Sequence, residues 1–187
     1  MKKLQLVVVL LLAASVSVFA QKKEVNPETS VVKWTGKKIG GSHHGEIEVK
    51  SGYLEFNNEQ ITAGEILIDM NSISNKDLES EEYNQKLVGH LKSDDFFGVE
   101  KYPTSSFVVT KATKFKDGKA SVTGKLTIKG KTEELTFDVV KSGESYNALV
   151  EVDRSKFDVR YGSNSFFDNL GDKAINDIFT LDITLAI

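Results

Sequence analysis

The chain has 187 residues, of which 40% are hydrophobic and 27% charged, with no cysteine and a formal net charge of −3 at pH 7. The lack of cysteine excludes thiol catalysis and thiolate metal sites, and it means that packing rather than disulfides must stabilise the fold. The acidic balance argues against a nucleic-acid partner.

The first twenty residues predict a secretory signal peptide. Two lysines precede an apolar run from Leu4 to Leu12, and short side chains lead to Ala20, as at a signal-peptide cleavage site. A retained membrane anchor is the alternative, but the apolar run is shorter than the roughly 20 residues that a spanning helix needs. Cleavage after Ala20 leaves residues 21–187 as one domain of an exported protein, not integral to the membrane, with periplasm and medium both open.

Runs of β-branched and aromatic residues between turn formers predict about eight antiparallel strands after Thr29. Apolar and polar residues alternate most cleanly in residues 121–130 and 177–187, as in strands with one buried face. A change of phase at Ser51-Gly52 predicts a bulge, and Lys116–Lys119 predicts a tight turn. Such strands suit an up-and-down barrel or a two-sheet sandwich, and the alternation does not separate the two.

Two longer segments interrupt this pattern. In the first, Ser74 with Asp77 resembles a capping box, and apolar residues from Tyr83 to Leu91 recur at helical spacing. We therefore expect one amphipathic helix, lying over the barrel or closing one end. The second segment, residues 160–177, combines turn formers with apolar side chains and is expected to be a lid or a binding loop.

Motifs for catalysis and metal binding are missing from the sequence. It has no Gly-x-Ser-x-Gly elbow, no dinucleotide or phosphate loop, and no His-Glu-x-x-His helix. His43 and His44 would point to opposite faces of a strand, so only one could join His90 inside, which is too few ligands for zinc. We expect no metal, and hydrogen bonds from His44 and His90 at the barrel ends.

Four charged residues allow two interpretations each. Asp94 and Asp95 follow a serine, which favours capping of a helix start over an acid–base pair. Arg154 and Arg160 flank Phe157, and their guanidinium groups could hold an anionic head group. Ordinary surface ion pairing is the alternative for both arginines.

Four stretches carry a resemblance to a known family. They are Trp34-Thr35-Gly36 followed by HHGEIEVKSGYLEF; HLKSDDFFGVEKYPTSSF, which begins at His90; VTGKLTIKGKTEELTFDV; and VDRSKFDVRYG. In this order they span nearly the whole mature chain. The paired phenylalanines, Lys-Tyr-Pro and the Gly-x-Leu-Thr-Ile-x-Gly-x-Thr pattern are the specific features. The chain resembles the YceI-like family of exported, polyisoprenoid-binding, lipocalin-like proteins.

The resemblance implies an all-β fold: an eight-stranded antiparallel lipocalin-like β-barrel with one inserted α-helix. Its apolar lumen would hold a polyprenyl, quinone-like or fatty chain, with no cofactor and no chemistry on the ligand. The side chains expected to contact the ligand are Trp34, Ile47, Val49, Phe96, Phe97, Phe107, Leu126, Ile128, Phe137, Phe157, Phe179 and Leu181. Those expected near a polar head group are His44, His90 and Arg154.

Three functions follow in order of preference. The first is a carrier that transports or stores a lipid chain, with stress response as a further context. The second is a structural or interaction protein of the envelope that uses its outer face. The third is a hydrolase that uses His44 or His90 with a nearby acid. A homodimer is compatible with each of them.

Overall fold

The computed structural model describes residues 20–187, so the predicted signal peptide lies outside the described residues apart from Ala20. This part of the chain forms nine strands, one α-helix and three short 3-10 turns. The strands are β1 (Gln21–Glu24), β2 (Val31–Lys38), β3 (Gly41–Asn57), β4 (Gln60–Asp69), β5 (Thr104–Ala112), β6 (Lys119–Ile128), β7 (Lys131–Ser142), β8 (Ser145–Asp153) and β9 (Ile178–Ala186). The helix α1 is Glu81–Lys92, and the 3-10 turns are Met70–Ser72, Arg154–Phe157 and Gly171–Lys173.

Strands β2 to β9 close into an antiparallel barrel. Their order around the wall is β3-β2-β9-β8-β7-β6-β5-β4, and β4 pairs back with β3. The 17-residue β3 closes the wall, because its first half pairs with β2 and its second half pairs with β4. The additional strand β1 pairs with that second half on the edge that β2 leaves free. The predicted eight-stranded barrel with one helix is confirmed, and the sandwich is excluded because the sheet is continuous.

The tight turn at Lys116–Lys119 and the bulge are where the sequence predicts them. The register between β3 and β4 shifts between Val49 and Ser51, next to the predicted bulge. Asp117 and Gly118 have φ values of 51° and 75°, and Lys129 and Gly130 have 49° and 72°. Two successive residues with positive φ match the right-handed twist of the strands that they join, which is why tight hairpins favour them.

The helix exists, but its predicted start is wrong. It begins after Ser80, whose Oγ accepts a hydrogen bond from the N–H of Tyr83. Asp77 does not cap it, because its carboxylate binds β3 instead, where it accepts the backbone N–H of His44. Asp77 therefore accepts a hydrogen bond from a distant strand and does not form the local capping pair predicted with Ser74. Among residues 20–187, no helix combines the length and the apolar character needed to cross a membrane.

The predicted cap at Asp94 and Asp95 is also wrong. These residues follow the C-terminal cap of α1 at Ser93 and lie in a turn before β5, so no helix starts there. Asp94 instead accepts a hydrogen bond of 2.6 Å from Lys101 Nζ. The pair forms a surface contact across the turn.

The barrel has two different ends. The hairpin end contains the β3–β4, β5–β6 and β7–β8 turns, and a cluster around Phe56, Phe115 and Tyr146 fills it. Tyr146 places its ring 5.8 Å from that of Phe56 and 5.9 Å from that of Phe115. The helix end carries α1 and the long connection between β8 and β9, above a larger cluster that includes Leu91 and Phe96.

Candidate functional site: an apolar cavity in the barrel

The barrel encloses a cavity of about 210 Å³. Its lining extends from Met70 and Phe96 at the helix end to Ile61 and Tyr146 at the hairpin end, so it follows the barrel axis. Engineered apolar cavities of about 150 Å³ stay dry and bind small aromatic compounds. The lumen is therefore hollow enough for an apolar guest, which the strand pattern alone could not establish.

The alternation of each strand makes the lining apolar. Side chains two residues apart point to the same face, so β9 directs Phe179, Leu181, Ile183 and Leu185 inward while its threonines point outward. These four stay partly exposed although they face the lumen, because neighbouring side chains do not fill the space in front of them. The cavity thus presents apolar surface that a ligand can cover.

Ten of the twelve side chains predicted to contact a ligand line the cavity. They are Trp34, Ile47, Phe96, Phe97, Phe107, Leu126, Ile128, Phe137, Phe179 and Leu181. Val49 and Phe157 are instead packed in the core, with 4% and 1% exposure, and are not part of the lining. Phe157 belongs to the 3-10 turn after β8, and Val49 stands at the bulge of β3, so neither continues the inner face of a regular strand.

Sequence reasoning missed further lining residues on β4 and β8. Ile66 and Ile68 of β4 face the cavity, followed by Met70, and so do Val150 and Val152 of β8. The signal was present, because apolar residues alternate in both strands.

Aromatic rings close the helix end of the cavity. Phe96 and Phe97 pack edge to face with ring centroids 4.9 Å apart, and His90 lies 5.8 Å from the ring of Phe96 and 4.4 Å from that of Tyr161. His90 does not line the cavity, and its buried Nε2 has no hydrogen-bond partner among the described residues. The hydrogen bond expected of His90 is therefore not seen at Nε2.

The other two histidines lie outside the cavity, near Asp77. His43 Nδ1 is 2.7 Å from Asp77 Oδ2, and the backbone N–H of His44 donates to Asp77 Oδ1 at 2.8 Å. The side chain of His44 is 57% exposed. Burial tends to raise the pKa of Asp77, but the bonds from His44, His43 and Asn75 lower it to about 2. Asp77 thus fastens the segment before α1 to β3, and neither imidazole faces the lumen.

A tryptophan and a glycine hold the same segment against the barrel. Trp34 Nε1 donates to the backbone oxygen of Ser74 at 3.0 Å. Gly45 makes this approach feasible, because a Cβ there would lie only 1.8 Å from that oxygen. The lining tryptophan is therefore positioned by a bond to the connection between β4 and α1.

Arg154 is buried, with 2% exposure, and borders the helix end of the cavity. Its guanidinium donates to the backbone oxygens of Val159, Tyr161, Ile175 and Asn176 at 2.8 to 3.1 Å, and Nη2 lies 3.3 Å from Asp177 Oδ1. Burial lowers the pKa of Arg154, and the nearby Asp177 opposes that change. The protein's own oxygens use the donors that a head group would need. Arg160, in contrast, forms a surface ion pair with Asp158.

No group of three or more His, Asp or Glu side chains within residues 20–187 is arranged to hold a metal ion. The site consists of an apolar cavity inside the barrel with few polar groups on its lining. Ser105, Ser106 and Asn176 supply polar atoms there besides Arg154. Such a lining favours contact with hydrocarbon over hydrogen-bonded recognition.

A closed antiparallel barrel around an apolar cavity defines a lipocalin-like barrel with a hydrophobic lumen. The YceI-like domain matches residues 24–187, and the chain belongs to the YceI-like family. This confirms the resemblance seen in the sequence motifs. A UPF0312 protein of Pseudomonas putida is 30% identical over 136 residues, which are 72% of this chain and 68% of the relative. A UPF0312 protein of Staphylococcus aureus, SAR2769, is 44% identical over 66 residues, or 35% of this chain and 36% of the relative.

Two solved structures share the fold. BcnA of Burkholderia cenocepacia aligns with a TM-score of 0.69 and 25% identity, covering 87% of this chain and 99% of BcnA. A polyisoprenoid binding domain from Saccharophagus degradans, implicated in plant cell wall breakdown, aligns with a TM-score of 0.58 and 12% identity, covering 87% and 95%. At that identity the second likeness concerns the fold alone.

Proposed function

We propose that the protein is exported and holds a long isoprenoid or fatty chain in its lumen, for transport or storage. The observation that carries this proposal is the apolar cavity along the barrel axis. The polyisoprenoid-binding domain that shares the fold supports an isoprenoid as the ligand. Neither His44 nor His90 lines the cavity, which supports binding without chemistry over the hydrolase alternative.

Hydrocarbon burial supplies enough free energy for such a ligand. Each buried methylene contributes roughly 0.8 kcal/mol, so ten of them give about 8 kcal/mol, the free energy of a Kd near 1 μM. Polar contacts to the ligand are then secondary, which agrees with the finding that the Arg154 guanidinium already donates to backbone oxygens of the protein. Pockets for drug-sized ligands start at about 300 Å³, which exceeds the 210 Å³ found here. A long chain must therefore displace lining side chains or extend beyond the cavity.

The direct test is to identify what the protein carries. Protein purified from its own source is analysed by native mass spectrometry, and the denatured sample is extracted with organic solvent. We expect added mass that the extract resolves into isoprenoid or fatty material. The proposal is contradicted if the purified protein shows no added mass and also fails to bind cis-parinaric acid, a fluorescent C18 fatty acid.

A matched pair of variants locates the site in the lumen. Ala148 lines the cavity, whereas its neighbour Leu149 points outward and is 70% exposed. We expect Ala148→Phe to fill part of the cavity and weaken cis-parinaric acid binding at least tenfold, and Leu149→Phe to leave it unchanged. Urea unfolding of both variants checks that the fold is retained. Equal binding by the two variants would place the ligand elsewhere.

A further inference from the structure

The hairpin of β7 and β8 is paired over only part of its length. The pairs are Val140–Asn147, Lys141–Tyr146 and Ser142–Ser145, all next to the turn. The flanking ladders are much longer, with ten pairs between β6 and β7 and nine between β8 and β9. Beyond Val140 the two strands follow each other without backbone pairing for about six residues, or roughly 20 Å. We call this stretch, residues 134–139 against 148–153, the seam.

The seam borders both the cavity and the outer surface of the barrel. On its inner side, Phe137 of β7 and Ala148 of β8 line the cavity, and Ala148 is small. On its outer side, Leu149 is 70% exposed among polar residues such as Thr136 and Glu151, and Val140 next to the seam is 41% exposed. The inner face of the seam is therefore apolar, and Leu149 is its apolar residue on the outer face. A hydrocarbon chain crossing here would pass Leu149 before it reaches the apolar lining.

The two ends of the barrel are harder to open. The cluster of Phe56, Phe115 and Tyr146 fills the hairpin end. Phe96 and the bonds of Arg154 occupy the helix end. Opening another wall would break a ladder of backbone hydrogen bonds, and buried groups left without partners are costly. Parting the seam breaks no backbone pair between its strands.

We propose that the seam is the lateral passage through which the hydrocarbon chain of a lipid reaches and leaves the lumen. The part of the lipid chain that does not fit in the 210 Å³ cavity lies in the seam. The Val140–Asn147 pair limits the passage on one side. The 3-10 turn Arg154–Phe157 limits it on the other, where Lys129 Nζ donates to the Asp158 backbone oxygen at 3.4 Å. This inference rests on the proposed function.

Cross-linking the seam tests the passage. The chain has no cysteine, so Thr136→Cys with Glu151→Cys supplies the only two thiols, both at exposed positions of the seam. A flexible bis-maleimide joins them, and the same variant capped with N-ethylmaleimide is the control. A second control joins Thr123→Cys and Thr136→Cys across the paired β6–β7 ladder, where the native hydroxyls are 2.8 Å apart. Mass spectrometry verifies each link.

The readout is the rate of cis-parinaric acid uptake by stopped-flow fluorescence, with equilibrium binding measured on the same samples. We expect the linked seam to slow uptake and release at least tenfold, and both controls to match the wild type. Unchanged rates in the linked seam, or equal slowing in the β6–β7 control, overturn the passage and leave the lumen as the binding site. A wild type that neither binds the probe nor carries lipid overturns the proposed function, and the passage with it.

Discussion

Replacing Arg154 tests whether this residue organises the helix end of the barrel. Its guanidinium bonds four backbone oxygens between Val159 and Asn176 and contacts the carboxylate of Asp177. Arg154→Met keeps much of the aliphatic volume but removes every guanidinium donor. The four carbonyl groups and Asp177 then lose their buried partner together.

The expected loss is large because these groups cannot all reach water. Removing one partner of a buried charged pair costs roughly 3–5 kcal/mol, and each additional unpaired buried carbonyl adds to that cost. We therefore expect Arg154→Met to lower the free energy of unfolding by about 4 kcal/mol. That is a large share of the 5–15 kcal/mol that domains usually have.

The assay is urea unfolding followed by tryptophan fluorescence, with linear extrapolation to water. Arg160→Met is the matched control, because Arg160 also flanks Phe157 but is 58% exposed and pairs with Asp158 at the surface. Exposed ion pairs contribute little, so we expect this variant to unfold like the wild type. A loss below about 1 kcal/mol for Arg154→Met, or equal losses for both variants, would refute the buried network as a stabilising element.

Two further predictions concern the segment before α1. Gly45→Ala should lose at least about 3 kcal/mol, because its Cβ would lie 1.8 Å from the Ser74 oxygen, whereas Gly41→Ala, with nothing within 4 Å, should unfold like the wild type in urea. The pKa of Asp77 falls from its ordinary 3.8 to about 2 on folding, so its stabilisation is present above pH 4 and lost as the pH falls towards 2, by about 2 kcal/mol. Urea unfolding at pH 6, 4 and 2.5 should show this loss for the wild type and a weaker one for Asp77→Asn. Equal pH dependence of the two proteins would contradict the assignment.

Alternation predicts most of the barrel wall, but it misses β1. Gln21–Glu24 contains two lysines and a glutamate, with no apolar face to mark a strand. It forms because the second half of β3 has an edge that β2 does not cover, and β1 pairs there from Tyr53 to Phe56. An available edge in the fold thus overrides a weak local preference.

The helix start shows the same limit at the level of single side chains. The sequence predicts a cap at Ser74-x-x-Asp77, whereas the structure has Ser80 as the cap. The choice depends on donors that come from β3, 33 residues away from Asp77. Sequence separation hides such partners, so the helix could be predicted but its first residue could not.

The sequence does not decide whether the barrel contains a cavity, because inward-facing apolar residues are also found in a filled barrel. Whether space remains depends on how far apart opposite walls lie. The structure shows partly exposed Leu135 and Phe137 on β7 facing the lumen. The residues of the lining were therefore predictable from alternation, and the space between them was not.

The Arg154 network gives a physical reason for the seam. The backbone N–H of Arg154 donates to the Asp177 oxygen at 2.9 Å, and its guanidinium holds Ile175 and Asn176, which immediately precede β9. The end of β8 is thereby tied to the start of β9, and their ladder extends to Asp153. Thus β8 stays paired with β9 over its whole length, while its pairing with β7 ends at Asn147. Arg154 thus uses its donors to hold β8 against β9. It thereby shapes the wall through which we propose that the ligand passes.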